Sequence, residues 1–171
     1  MNFGNDSGFK WGAVTLLDFL GWKGVWMNDY KQQSQSAHFN YNSLQKLANL
    51  IKTINEECNA RCKEYGTSLK FISISDTLAL FSPCRNGDDD EENYNILKLH
   101  AELCSRVMDI SAASGFALRG AITIGEFDYW NNVIIGPGVD ECASWYEQAD
   151  WLGVIFAPSA QFVIDAQRNK N

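Results

Sequence analysis

Residues 11–21, WGAVTLLDFLG, place the tightest constraint on this chain. The run is apolar and its length suits a buried strand, yet it ends on an ionisable side chain, Asp18, with no cation next to it in sequence. A buried carboxylate without a partner is costly. The fold must bring Asp18 a metal ion, a cation or hydrogen-bond donors from elsewhere. Asp76 raises the same demand at the tip of an apolar hairpin, between LKFISI and TLALFS. If the two strands are neighbours, both carboxylates converge at one sheet edge. Such a pair suits Mg²⁺ or Mn²⁺, which take oxygen ligands and bind nucleotide phosphates. The plainer alternative makes Asp76 a turn residue and Asp18 a strand-end cap.

Around these two positions the chain alternates strand-like and helix-like segments. Residues 22–41, polar and aromatic with QQSQS inside, read as a loop or a short irregular helix. In residues 43–64 the apolar positions Leu44, Leu47, Leu50, Ile51, Ile54 and Cys58 form one stripe of an amphipathic helix. Ser43 is its expected N-cap and Gly66 its stop. A two-residue Ser75-Asp76 turn follows, although Ser-Asp is not a favoured turn pair. Residues 85–93, RNGDDDEEN, read as a solvated acidic loop. A second helix spans 94–114, with Ile96, Leu99, Leu103, Val107 and Ile110 in phase and Gly115 at its end. A strand over 117–125, a turn and return strand over 126–135, a third helix over 138–149 and a last strand in WLGVIFAPSA complete the order. With no repeat and no linker, residues 1–171 are expected to form one domain of helices on a central sheet with antiparallel hairpins.

Composition excludes several functions. Lys+Arg is 14 against 21 Asp+Glu, a net charge of -7, so a basic surface for DNA is not expected. No run reaches the roughly 20 apolar residues of a membrane span, and MNFGNDSGFK carries no signal-peptide pattern. Five cysteines (Cys58, Cys62, Cys84, Cys104, Cys142) lack zinc-ribbon spacing and read as free thiols of a cytoplasmic protein. His38 and His100, the only histidines, leave little material for a zinc site or a Ser-His-Asp triad.

Four segments, in order over residues 11 to about 160, resemble the class III nucleotidyl cyclases. Leu17-Asp18-Phe19-Leu20-Gly21-Trp22 resembles that family's D-[IFL]-x-G-[FW] segment. Ser75-Asp76 resembles its hairpin tip, Arg119 to Gly125 its R-x-x-I-x-x-G strand, and Ile135 to Asp140 its G-x-x-V-N helix entry. The resemblance implies an α+β, ferredoxin-like fold with a mostly antiparallel sheet flanked by helices. It implies two divalent ions, Mn²⁺ or Mg²⁺, held by Asp18, Asp76 and the backbone carbonyl of Phe19. One ion activates the 3′-hydroxyl for attack on the α-phosphorus and the other holds the β- and γ-phosphates. Leu20, Gly21, Trp22, Lys23 and Arg119 are the implied triphosphate contacts. The family's head-to-tail dimers imply a homodimer with sites at the interface, and the tryptophans Trp11, Trp22, Trp26, Trp130, Trp145 and Trp151 fit an interface.

The chain departs from the family where purines are selected. Ile72 and Val133 stand where adenylate cyclases carry a lysine and an aspartate. A purine edge would lose its partners there. Asp140 and Ser144 occupy the positions of the family's transition-state Asn and Arg. The segment from Gly136 to Ala160 looks like the small stand-alone cyclases of bacterial Pycsar anti-phage systems, which make cyclic UMP or cyclic CMP. That resemblance implies UTP, or else CTP, as substrate and a separate cyclic-nucleotide-responsive effector as partner. Tyr41 and Phe39 are the aromatic candidates to stack on the base, with Ile72 and Val133 beside it. The alternatives are a purine cyclase and a non-catalytic nucleotide-binding domain. A palm-type polymerase or diguanylate cyclase is disfavoured because no GG[DE]EF-like hairpin is present.

Overall fold

The computed structural model describes residues 8–21, 42–130, 133–148 and 151–170. Strand β1 (Lys10–Leu20) is followed by α1 (Asn42–Glu64), β2 (Lys70–Ile74), β3 (Thr77–Pro83), α2 (Asp90–Ala113), β4 (Ala117–Trp130), β5 (Val133–Ile135), α3 (Pro137–Tyr146), β6 (Gly153–Phe156) and α4 (Pro158–Arg168). The strands form one six-stranded sheet in the order β2-β3-β1-β4-β5, with β6 also on β4. Every pairing is antiparallel except β4 with β6. The apolar run that opens the chain becomes β1, held between β3 and β4.

Two apolar layers cover the sheet, because strand side chains alternate between faces. Ala13, Leu17 and Phe19 of β1 pack with Leu47, Leu50 and Ile54 of α1, Leu97, Leu99 and Leu103 of α2, and Ala160 of α4. Val14 and Leu16 belong to the other face, with Phe81, Phe127, Cys142, Val139 and Tyr146. So α1, α2 and α4 share one face and α3 has the other. Of the α1 stripe, Leu47, Leu50, Ile54 and Cys58 are buried as the spacing predicts and Cys62 with them, while Ile51 is half-buried and Leu44 exposed. Helix α3 approaches β4 so closely that a Cβ on Gly125 would sit 3.1 Å from the Gly138 Cα. At its own end, β4 returns with β5 toward the edge strand, where Lys70 Nζ lies 4.1 Å from the Tyr129 ring centroid.

The structure corrects the sequence reading at five places. Ser43 lies inside α1, which begins at Asn42. The acidic stretch is not a loop throughout. Asp89 caps α2, its side chain accepting from the amides of Glu91 and Glu92, and Asp90, Glu91 and Glu92 fill the first turn. Carboxylates there meet the unpaired amides of a helix N-terminus. Strand β4 runs through residues 126–130 without the expected turn. The third helix ends at Tyr146 rather than at residue 149. Past β6, the chain turns at Pro158 into α4, where a strand had been expected through Ala160. Proline at the first helical position fits that start. The hairpin turn stands where it was expected, and Ser75 takes a left-handed φ of 56°.

Candidate functional site

Pairing alone brings the two aspartates together. Asp18 lies opposite Thr77 on β3 and opposite Arg119 on β4. The Phe19 amide donates to the Asp76 carbonyl at 3.0 Å, which ties the end of β1 to the hairpin tip. The Phe19 ring turns into the helical face, edge-on to Phe116 with centroids 5.6 Å apart. By alternation Asp18 then belongs to the opposite face, in line with Val14 and Leu16. The chain leaves β1 at Gly21, whose φ of 75° is left-handed. Glycine takes that conformation without penalty and keeps the backbone bare for close approach.

The acids need compensation, and a cation from another strand supplies part of it. Arg119 Nε donates to Asp18 Oδ2 at 3.3 Å, and its Nη1 donates to the Glu147 carbonyl at 3.5 Å. Burial raises the Asp18 carboxyl above the ordinary aspartate value, and the nearby charges of Asp76 and Glu147 push the same way. The Arg119 hydrogen bond and charge oppose them without winning. Tyr146 completes the cluster, its hydroxyl donating to Glu147 Oε1 at 3.2 Å. Burial, then that hydrogen bond, raises its pKa. Three carboxylates and one guanidinium therefore gather where β1, the β2–β3 turn and the end of α3 meet.

An apolar cleft of about 300 Å³ opens on the same sheet face. Leu16, Ile72, Ile74, Ala79, Phe81, Ile134 and Val139 line it, and among the described residues Thr77 is its single polar lining member. Of the two positions expected beside the base, Ile72 is in the lining. The β5 contribution comes from Ile134, while Val133, one residue earlier in a strand of alternating faces, is 42% exposed. Ile134, not Val133, is the β5 residue that faces this cleft. Trp22, Lys23, Phe39 and Tyr41 lie outside the described residues. Asp140 and Ser144 are exposed on α3, and the Ser144 hydroxyl donates to the Asp140 carbonyl at 2.8 Å.

Sequence reasoning did not single out Tyr146, Glu147, Thr77 or Ile134. Thr77 and Ile134 had a usable signal: each is a neighbour of a residue that was named, and period-two alternation decides which neighbour faces in. Glu147 and Tyr146 had none, because their closeness to Asp18 depends on how α3 docks.

Among the described residues, no three His, Cys, Asp or Glu side chains form a group able to hold a metal by themselves. Magnesium-class ions need less: one or two carboxylates, completed by water and substrate phosphates. Asp18 and Asp76 offer two carboxylates with hard oxygen donors, close enough for the Asp76 charge to raise the Asp18 carboxyl.

No protein-family model matches this sequence, and no curated protein matches it. Solved structures do. The adenylyl cyclase CyaB from P. aeruginosa superposes with a TM-score of 0.61 at 13% identity, over 94% of this chain and 83% of that one. The guanylate cyclase domain of RhGC from Catenaria anguillulae, solved in complex with GTP, gives 0.60 at 10% identity, over 92% and 84%. A class III adenylyl cyclase-like ATP-binding protein from Pseudomonas aeruginosa gives 0.58 at 13% identity, over 92% of this chain and 35% of that one. This chain has the α+β fold of class III nucleotidyl cyclase domains.

Proposed function

We propose that this protein is a metal-dependent nucleotidyl cyclase. It converts a pyrimidine nucleoside triphosphate, UTP ahead of CTP, into the 3′,5′-cyclic monophosphate and pyrophosphate. The observation that carries the reaction class is the meeting of Asp18 and Asp76 at adjacent strand ends, in a fold shared with adenylyl and guanylyl cyclases. Mn²⁺ or Mg²⁺ bound there would supply Lewis acidity to the 3′-hydroxyl and the phosphates.

The chain's own residues hold and orient. Asp18 and Asp76 provide the carboxylate oxygens. Gly21 lets the backbone after β1 approach phosphate oxygens without a side chain in the way. Arg119 brings a guanidinium, which suits phosphate through several directed donors. The cleft beside Ile72 and Thr77 receives the base. In the reaction the 3′-oxygen forms a bond to the α-phosphorus, loses its proton, and the bond to the β-phosphate oxygen breaks.

Support for a pyrimidine comes from the lining. A purine carries more polar edge atoms, and a wall whose one polar member among the described residues is Thr77 leaves most of them unpaired. A smaller ring loses fewer partners. We further read the product as the signal of an anti-phage defence, sensed by a separate effector, and the active form as a homodimer. The first rests on the sequence resemblance, and the second on that resemblance together with the exposed Trp145 and Trp151.

The test offers each of the four ribonucleoside triphosphates with Mn²⁺ and identifies products by mass spectrometry. Cyclic UMP is the expected dominant product, lost in Asp18→Ala and in Asp76→Ala. A cyclic purine would keep the carboxylate site and overturn the pyrimidine reading. A second reading, nucleotide binding without turnover, draws on Asp140 and Ser144 in the positions of the family's Asn and Arg. It predicts binding with no pyrophosphate released from any triphosphate.

A further inference from the structure

The Asp18–Arg119 pair holds a conflict that the proposed chemistry must resolve. Asp18 Oδ2 is engaged by Arg119 Nε at 3.3 Å, and the two side chains are only 18% and 22% exposed. A guanidinium and a divalent cation are alternatives at one carboxylate, since both are positive and poorly screened in a partly buried site. Among the described residues, the rest of Arg119 is loosely held. Its Nη1 reaches a neutral carbonyl, that of Glu147, at 3.5 Å, the far limit of a hydrogen bond. Little therefore retains the guanidinium once Asp18 is taken by something else. Among the described residues its ion pair is with Asp18 alone.

We infer that Arg119 couples cation binding to polyphosphate binding. A divalent cation and Arg119 compete for Asp18, and the cation that wins frees the guanidinium for the phosphates of the substrate. The inference rests on reading Asp18 and Asp76 as the cation site. It makes Arg119 a positioning residue with opposite effects on two ligands. Alone, a cation meets a competitor; together with a polyphosphate, it gains a partner. Linkage makes the coupling reciprocal.

Two titrations on the full chain test it, neither of which needs turnover. Free Mn²⁺ is followed by electron paramagnetic resonance, and a preformed Mn²⁺–tripolyphosphate complex is titrated by calorimetry. Arg119→Met is expected to bind Mn²⁺ alone about five- to tenfold more tightly, and the tripolyphosphate complex more weakly by a similar factor. Arg119→Lys, which keeps the charge without the fork, falls between. A merely structural role would weaken both. Loss of both affinities, an unchanged Mn²⁺ affinity, or a gain in both would each overturn the coupling. Asp18→Asn separates this from the reading beneath it. If wild type and Asp18→Asn bind Mn²⁺ alike, the cation site itself is misassigned. If Asp18→Asn loses Mn²⁺ while Arg119→Met shows no opposed shifts, only the coupling fails.

Discussion

Ionised Asp18 works against the stability of the domain. Burial and the charges of Asp76 and Glu147 hold its carboxyl above the ordinary aspartate value despite Arg119. A carboxyl raised in the folded state contributes stability below its unfolded value, and that contribution is lost as pH rises through the folded one. Near neutrality the charge is a net cost. Asp18→Asn should therefore raise the Tm of the metal-free protein at pH 7 by about 2–4 °C, the shift for roughly 1 kcal/mol in a domain of this size. The gain should vanish when the comparison is repeated near pH 3. His100 carries a cost of the other sign. Its ring is fully buried, with Nδ1 2.7 Å from the Thr15 hydroxyl and Nε2 without a hydrogen-bond partner among the described residues. Burial lowers its pKa from 6.5 to about 3. The folded state keeps the ring neutral while the unfolded chain takes a proton below pH 6.5. Stability is full above that value and falls as pH drops, by about 1.4 kcal/mol per unit. Urea midpoints between pH 6.5 and pH 4 should show this slope, and His100→Gln should flatten it by one proton's share. The sequence announced that Asp18 needed a partner, because the run around it is so apolar. It could not name Arg119, which lies 101 positions away and arrives through strand register.

Elements were legible where spacing alone decides them. The stripe of α1, the apolar run of β1 and the glycines at 66 and 115 that close α1 and α2 all stand where the pattern puts them, with Gly66 at φ 65° and Gly115 at φ 81°. Reading failed where an element is specified by its ends or by its neighbours. The start of α2 looked like a loop because its acids were weighed as solvated charge rather than as capping groups. Asp89→Ala should therefore cost about 1 kcal/mol, since its carboxylate serves two amides at once. Denaturant unfolding checks this, and Asp89→Asn, which keeps an acceptor, should recover most of the loss. Strand β4 was read as giving way to a turn from residue 126, and Glu126 is indeed exposed within it. The strand continues because its ladder has partners on both sides, β1 on one flank and β5 or β6 on the other. The last helix was missed because WLGVIFAPSA was read as one strand with Pro158 inside it, when proline at a helix start costs nothing.

At the scale of the molecule the two faces are unequal. Three helices cover one, and α3 alone lies on the other, beside the cleft and the acid cluster. Large apolar side chains remain exposed near this side: Ile74 at the end of β2, Trp145 on α3, and Trp151 and Leu152 ahead of β6. Aromatic-rich exposure of this kind favours association. In the homodimer reading, Trp145→Glu shifts the protein toward monomer in sedimentation velocity and lowers specific activity at low protein concentration. The domain stays folded, because the side chain it replaces is 38% exposed. No described helix is long and apolar enough to cross a membrane.

Strand β1 has a consequence for how the chain is made. It is the earliest of the described strands in chain order, yet its register needs both β3 and β4, and the residue that offsets the Asp18 charge sits on the later of these. Until residue 119 emerges, docking β1 would bury a carboxylate beside another acid with no counter-charge. Synthesis must therefore carry an exposed apolar segment for about a hundred residues, at roughly 5–20 residues per second. The nascent chain is most open to misassociation in that interval, and a chaperone that holds exposed apolar segments would act on residues 11–20.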